Sequence, residues 1–251
     1  MIFNSQKEKF IFFNIPVILF SLLPLLLITG PFLSDFSISL ICLIFLFYCF
    51  KKNKFYYFKN KYFYFFLIFW IYLIIKNLIN NFNFDSLKIS LFYFRYGVFV
   101  VAIVALLNVD SKFLKYFFYS ILVCFTVLIF DGFYQYFFEE NILGWESKIR
   151  VSSFFGDEKI LGSYLSRLWP IFFGLSIILF KKKNKFFLFF ILIFILSEAL
   201  IFLSGDRTAF FFINLSALFV ILFSRNLKKL RLYTLLFSVL ILITISFFNP
   251  T

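Results

Sequence analysis

Long apolar runs alternate with short polar ones along this 251-residue chain. The runs cover residues 10–30, 35–50, 62–78, 89–108, 116–132, 160–180, 186–203, 207–224 and 232–248. Roughly 20 apolar residues in helical form cross a hydrocarbon core of about 30 Å. The second, fifth and eighth runs fall a little short of that. Backbone in lipid must satisfy its own hydrogen bonds, and the runs lack the two-residue alternation of barrel strands, so helices are expected. The pattern predicts an all-α fold: a polytopic transmembrane helix bundle of about nine spans, one transmembrane domain over residues 1–251. The first run is too long for a signal-peptide core and has no small-residue cleavage site, so it reads as the first span.

Lysine and arginine orient the bundle. With the N-terminus cytoplasmic, the inner segments carry Lys7, Lys9, the cluster from Lys51 to Lys61, Lys112, Lys115, the cluster from Lys181 to Lys185, and Arg225 to Arg231. Those segments hold 17 of the 25 basic residues and only Glu8 and Asp110 among the acids. That is the asymmetry of the positive-inside rule. An odd number of spans puts the C-terminus on the outer, periplasmic side. The chain stops at Asn249-Pro250-Thr251, a turn signal at the membrane exit, so the expectation is the N-terminal part of a longer protein. The longest external connection is 132–159, with Trp145 and its tyrosines as interfacial anchors.

Composition narrows the class. The chain is 63% hydrophobic, with mean hydropathy +0.98, more than a soluble core of this length needs. The 48 phenylalanines are read as lipid-facing filler. The net charge of +13 comes in short runs between spans, which is a topology signal and not a nucleic-acid face. Cys42, Cys49 and Cys124 lie in spans without metal-ligand spacing. With no histidine in the chain, no His-ligated metal or His base can come from it. No metal site and no cofactor are expected.

The remaining charges carry the candidate chemistry. Arg95, Arg167 and Glu198 lie inside apolar runs, and Asp131 and Arg207 at the ends of others. On the topology above, all five belong to the outer third of the bilayer or its rim. An ionisable group in hydrocarbon is costly and marks a candidate site. Arg167 falls about two turns into its span, roughly 10 Å from the start, and Arg95 at a similar depth in another. Several arginines at one depth suggest a pocket for an anion. In the segment Ser204-Gly205-Asp206-Arg207-Thr208-Ala209, Ser204 or Asp206 can cap the new helix and Gly205 permits a tight turn; free N–H groups at that helix start favour an anion, and Arg207 adds a fork suited to phosphate. Arg150 lies in the external loop. A competing reading pairs Arg207 with Asp206 or with headgroups, and pairs Arg95 and Arg167 separately with Glu198, Asp131 or lipid phosphate. Asp157 and Glu158 are adjacent and face different ways, so they form no obvious acid–base pair. Glu198 could serve as a general base, or pair with an arginine. No phosphate loop, catalytic triad or zinc pattern is present.

Three stretches resemble the O-antigen ligase and O-antigen polymerase family of bacterial inner-membrane proteins. They are Asp131-Gly132-Phe133-Tyr134-Gln135-Tyr136; Arg150 through Ser152, Ser153, Phe154, Phe155 and Gly156 to Asp157 and Glu158; and Ser204 to Ala209. Family members show a Q-Y-F-like stretch, an R-x-S/T-G-x-F-x-[DN] segment and an S-[GR]-[ST]-R-[GT]-A-like turn. Ser153 stands where that pattern has Gly, and Asp206 where it has Ser or Thr. The resemblance covers about residues 130–215.

It implies a fold of about 10–14 spans in the inner membrane and an undecaprenyl-diphosphate-linked glycan donor. The acceptor would be lipid A-core or a second lipid-linked glycan, on the periplasmic side. It further implies that Arg150 and Arg207 hold the donor diphosphate; the charge pattern itself adds Arg167 and Arg95 to that site, with Asp157, Glu158, Glu198 and Asp206 as supporting acids. Partners are then the lipid-linked donor, the acceptor and membrane lipids, with no nucleic acid. Ligases of the family carry a histidine in a large later periplasmic loop, so the resemblance also implies a truncated or divergent member. Arginines at the diphosphate would stabilise it as a leaving group without a metal. Two other readings stand beside this one. One is a transporter or lipid-linked glycan flippase with an outer-leaflet anion site. The other is a structural subunit whose arginines bind only headgroups.

Overall fold

The computed structural model describes residues 6–79, 83–146, 150–180 and 184–223, with scattered positions between 232 and 244. Among them the fold is helical, with no strand and one isolated bridge between Glu140 and Glu146. The helices are α1 Phe10–Ile28, α2 Pro31–Lys52, α3 Lys61–Ile79, α4 Phe84–Phe92, α5 Phe94–Val109, α6 Leu114–Phe138, α7 Leu161–Leu179, α8 Asn184–Leu203 and α9 Arg207–Phe223.

Six stretches are long and apolar enough to cross a membrane: α1, α2, α3, α4 continuing into α5, Ser111–Phe138 and α7. Shorter apolar helices follow at Phe189–Leu203 and Arg207–Val220. The protein is therefore all-α, with the makeup of a multi-pass membrane protein. The ninth expected span, 232–248, lies largely outside the described residues. Two boundaries differ from the hydropathy pattern. The fourth span starts earlier, at Phe84, because Asn83 caps α4 by accepting the Asp85 N–H at 3.0 Å. Helix α6 runs on through Gly132 to Phe138, so that part of the expected external connection is helical. Polar residues there hid a helix whose polar groups are satisfied internally.

The chain divides into two units, Met1–Phe117 and Phe118–Thr251. In the first, α2 packs on α1 and α5 around Ile41, Cys42, Phe45, Cys49, Val98 and Ala102. Helix α3 lies against α5 so closely that any side chain at Gly97 would run into the Phe66 ring. Polar groups on α3 find partners on α4: Trp70 Nε1 donates to the Ser90 carbonyl at 2.9 Å, and Asn77 donates to the Ser90 hydroxyl. Such pairing is required where water is absent.

In the second unit, α7 packs on α8 and α9. Phe118, Phe125, Phe172 and Phe194 interlock, with Phe172 centroids 5.1–5.2 Å from the other three. Trp169 stacks on Phe173 at 5.1 Å. These rings form the core of the unit, so part of the phenylalanine excess has a packing role. Each such pair adds about 0.5–1.5 kcal/mol beyond its buried area.

Candidate functional site

The last turns of α6 carry Asp131 and Gln135 four residues apart, on one helical face. Both are fully buried. Buried polar side chains need partners, and these two find theirs in the segment that follows. Gln135 Oε1 accepts the N–H groups of Ser152 at 2.9 Å and Ser153 at 2.7 Å, while its Nε2 donates to the Trp145 carbonyl at 3.2 Å. Asp131 Oδ1 accepts the Ile142 N–H at 2.9 Å, and its Oδ2 accepts the Ser153 hydroxyl at 2.5 Å. Buried Asn141 completes the weave. Its Oδ1 accepts from Leu143 and Trp145 N–H, and its Nδ2 donates to the Ser153 carbonyl at 3.1 Å. Thus the end of one helix fixes the backbone at both 141–145 and 152–153.

Ser153 sits at φ +51°, in the left-handed region that favours glycine. Its hydroxyl bond to Asp131 and its bonded N–H and carbonyl offset the strain. Phe155 then turns in against Tyr164 of α7, with ring centroids 5.5 Å apart.

The start of α7 meets the α8–α9 turn. A side chain at Gly162 would collide with Ser204, Asp206 and Ala209, so only glycine allows this approach. Ser163 Oγ donates to Asp206 Oδ2 at 2.8 Å, tying the two helix starts together. Asp206 Oδ1 accepts the N–H groups of Thr208 and Ala209, each at 3.1 Å, and the Thr208 hydroxyl at 2.6 Å. It is the N-cap of α9. Desolvation by burial raises its pKa, but the hydrogen bonds from Thr208, Ser163 and the two backbone N–H groups outweigh that and hold the carboxyl below its ordinary value.

Gly205 turns the chain at φ +63°, and the Arg150 side chain lies across it. A Cβ at Gly205 would sit 2.9 Å from Arg150 Nε and 3.0 Å from its Cδ. The guanidinium of Arg150 thus rests on the turn that leads directly into Arg207. Both arginines are exposed, and neither makes an ion pair among the described residues. The second unit therefore brings together the stretches at 131–135, 150–156 and 204–209 in one polar cluster with two unneutralised arginines.

Other candidate residues fall elsewhere. Arg167 is exposed on α7 and makes no ion pair among the described residues. Asp157 and Glu158 are exposed on the turn after Phe155, and Glu198 is buried in α8. Arg95 belongs to the first unit. Its Nη2 meets Asp35 Oδ2 at 2.7 Å and the Tyr96 hydroxyl at 3.0 Å, and its Nη1 meets Ser39 Oγ at 3.3 Å. The competing reading that paired Arg95 with Glu198 or Asp131 is corrected: its carboxylate partner is Asp35. At the α9 start Asp206 is the cap, one of the two residues expected there, and this alters two other readings. The N–H groups there are not free for an external anion, because the Asp206 carboxylate accepts two of them. For the same reason Asp206 is engaged in capping and does not pair with Arg207.

Sequence reasoning assigns Gln135 no role and does not single out Asn141 or Asp35. The i, i+4 spacing of Asp131 and Gln135 at the end of an apolar run was the available signal. Among the described residues no cluster of Cys, Asp or Glu is arranged to hold a metal ion. No family model, curated protein or solved structure matches the chain.

Proposed function

We propose that this chain is part of a membrane glycosyltransferase of the O-antigen ligase or polymerase type. On this reading the second unit holds the diphosphate of an undecaprenyl-diphosphate-linked glycan at the periplasmic face of the inner membrane. The bundle has nine spans, with the N-terminus cytoplasmic. The observation that carries the proposal is the Arg150 side chain lying across Gly205, two residues before Arg207, with neither guanidinium paired with an acid among the described residues. A diphosphate at a membrane surface calls for such a pair. Guanidinium forks bind phosphate oxygens through two parallel bonds, and their charge stabilises the departing diphosphate as the new glycosidic bond forms.

Both departures from the family pattern preserve the local physics. Ser153 adopts the left-handed backbone that glycine would supply, and Asp206 caps the helix as Ser or Thr would. These fits support the resemblance.

The test uses the full protein in cells that depend on it for surface glycan. Arg150→Ala and Arg207→Ala are each expected to reduce transfer by about 10²–10³-fold, the typical loss for one preorganised charge-stabilising donor. Membrane abundance, read by immunoblot, stays unchanged because both side chains are exposed. Normal surface glycan in both variants would overturn the proposal and favour the transporter reading.

A further inference from the structure

We infer that a pocket in the first unit, between α2, α4 and α5, binds the headgroup of a zwitterionic aminophospholipid. The cavity measures about 610 Å³ and is lined by Asp35, Asp85, Lys88, Phe92, Tyr93 and Arg95, among others. That volume lies in the range of small-ligand sites.

Depth comes first. Asp85 and Lys88 are the second and fifth residues of α4, and Asp35 is the fifth of α2. Asp35 therefore lies about 6 Å along its helix from the start. If α2 and α3 each cross the bilayer, the starts of α2 and α4 emerge on the same face. The pocket then sits at the level of lipid headgroups, whichever face that is.

Charge decides the ligand. The lining holds two acids, Asp35 and Asp85, and two bases, Lys88 and Arg95. They cancel, and Arg95 is already bound by Asp35 at 2.7 Å. A diphosphate needs an excess of positive charge, and this pocket has none. Yet Asp85 and Lys88 are exposed and make no ion pair with each other or with any other described residue. Three residues apart on α4, they present one carboxylate and one ammonium on the same face.

A phosphodiester joined to a primary ammonium complements that pair. Lys88 takes the phosphate, while Asp85 accepts hydrogen bonds from the ammonium, with the exposed Tyr93 beside them in the lining. The neighbouring exposed Ile89 and Phe92 give the acyl chains an apolar surface. The site is independent of the glycan-transfer reading, since it involves none of the residues of the second unit.

The purified protein in detergent is titrated with phosphatidylethanolamine or phosphatidylglycerol, and bound lipid is counted by native mass spectrometry. Phosphatidylethanolamine is expected to bind at least about tenfold more tightly than phosphatidylglycerol. Lys88→Met and Asp85→Asn should each weaken it roughly tenfold, the worth of one charge-assisted bond. Both side chains are exposed, so both variants should fold. Equal or tighter binding of phosphatidylglycerol would overturn the inference, as would unchanged binding in both variants. Soluble glycerophosphoethanolamine, tried as a competitor, should fail at concentrations where the lipid binds. Competition at equal concentration would show a soluble phosphate ester as the ligand and overturn the lipid assignment.

Discussion

Replacing Gln135 with leucine removes the α6 side chain that accepts the Ser152 and Ser153 N–H groups. Leucine has nearly the same volume and keeps the packing of a fully buried position. It offers nothing to the Ser152 and Ser153 N–H groups, which Gln135 Oε1 accepts at 2.9 and 2.7 Å. Each buried donor left unpaired costs about 1–3 kcal/mol. The segment can relax toward water, so the low end applies, and the sum for two donors is about 2–3 kcal/mol. Local opening of 150–156 should then become roughly 30- to 150-fold more populated. Hydrogen exchange read by mass spectrometry measures this directly. Peptides covering 150–156 should lose that much protection, while peptides from the middle of α7 serve as the control. Arg150 belongs to the same segment, so under the proposed function glycan transfer should fall even though no arginine has been changed. Unaltered exchange at 150–156 would refute the claim that Gln135 fixes the loop. Lost protection with normal transfer would separate the loop from the site.

Two further predictions follow from the α8–α9 turn. Gly205→Ala puts a Cβ at φ +63° and within 3 Å of the Arg150 side chain; it should cost about 1–2 kcal/mol in backbone strain and reduce transfer by displacing Arg150, measured by thermal unfolding alongside a glycan assay. The Asp206 carboxyl titrates below its ordinary value in the folded protein, so its stabilising contribution is present above the unfolded-state pKa and is lost as pH falls through the folded one. Asp206→Ser should keep the cap but flatten that acid-side loss, and thermal melts of both proteins across the acid range check it.

Much of this protein was written in its hydropathy. Roughly 20-residue apolar runs in a medium without water leave the helix as the available backbone solution, so the all-α class and most span positions followed from one-dimensional pattern alone. The motifs at 131–136, 150–158 and 204–209 were legible as polar breaks. Tertiary structure decided which charges meet. A hydropathy profile places Arg95, Arg167 and Arg207 at related depths, but depth does not specify azimuth around a bundle or partner. Packing in the first unit gave Arg95 to Asp35, a residue four positions past a proline at the start of α2. Packing in the second laid Arg150 across Gly205. The roles of Gln135 and Asn141 were likewise invisible, because an amide side chain reads as loop polarity until the backbone groups it satisfies are brought beside it. Local sequence sets what each segment prefers; only the folded chain determines which unsatisfied donor finds which acceptor.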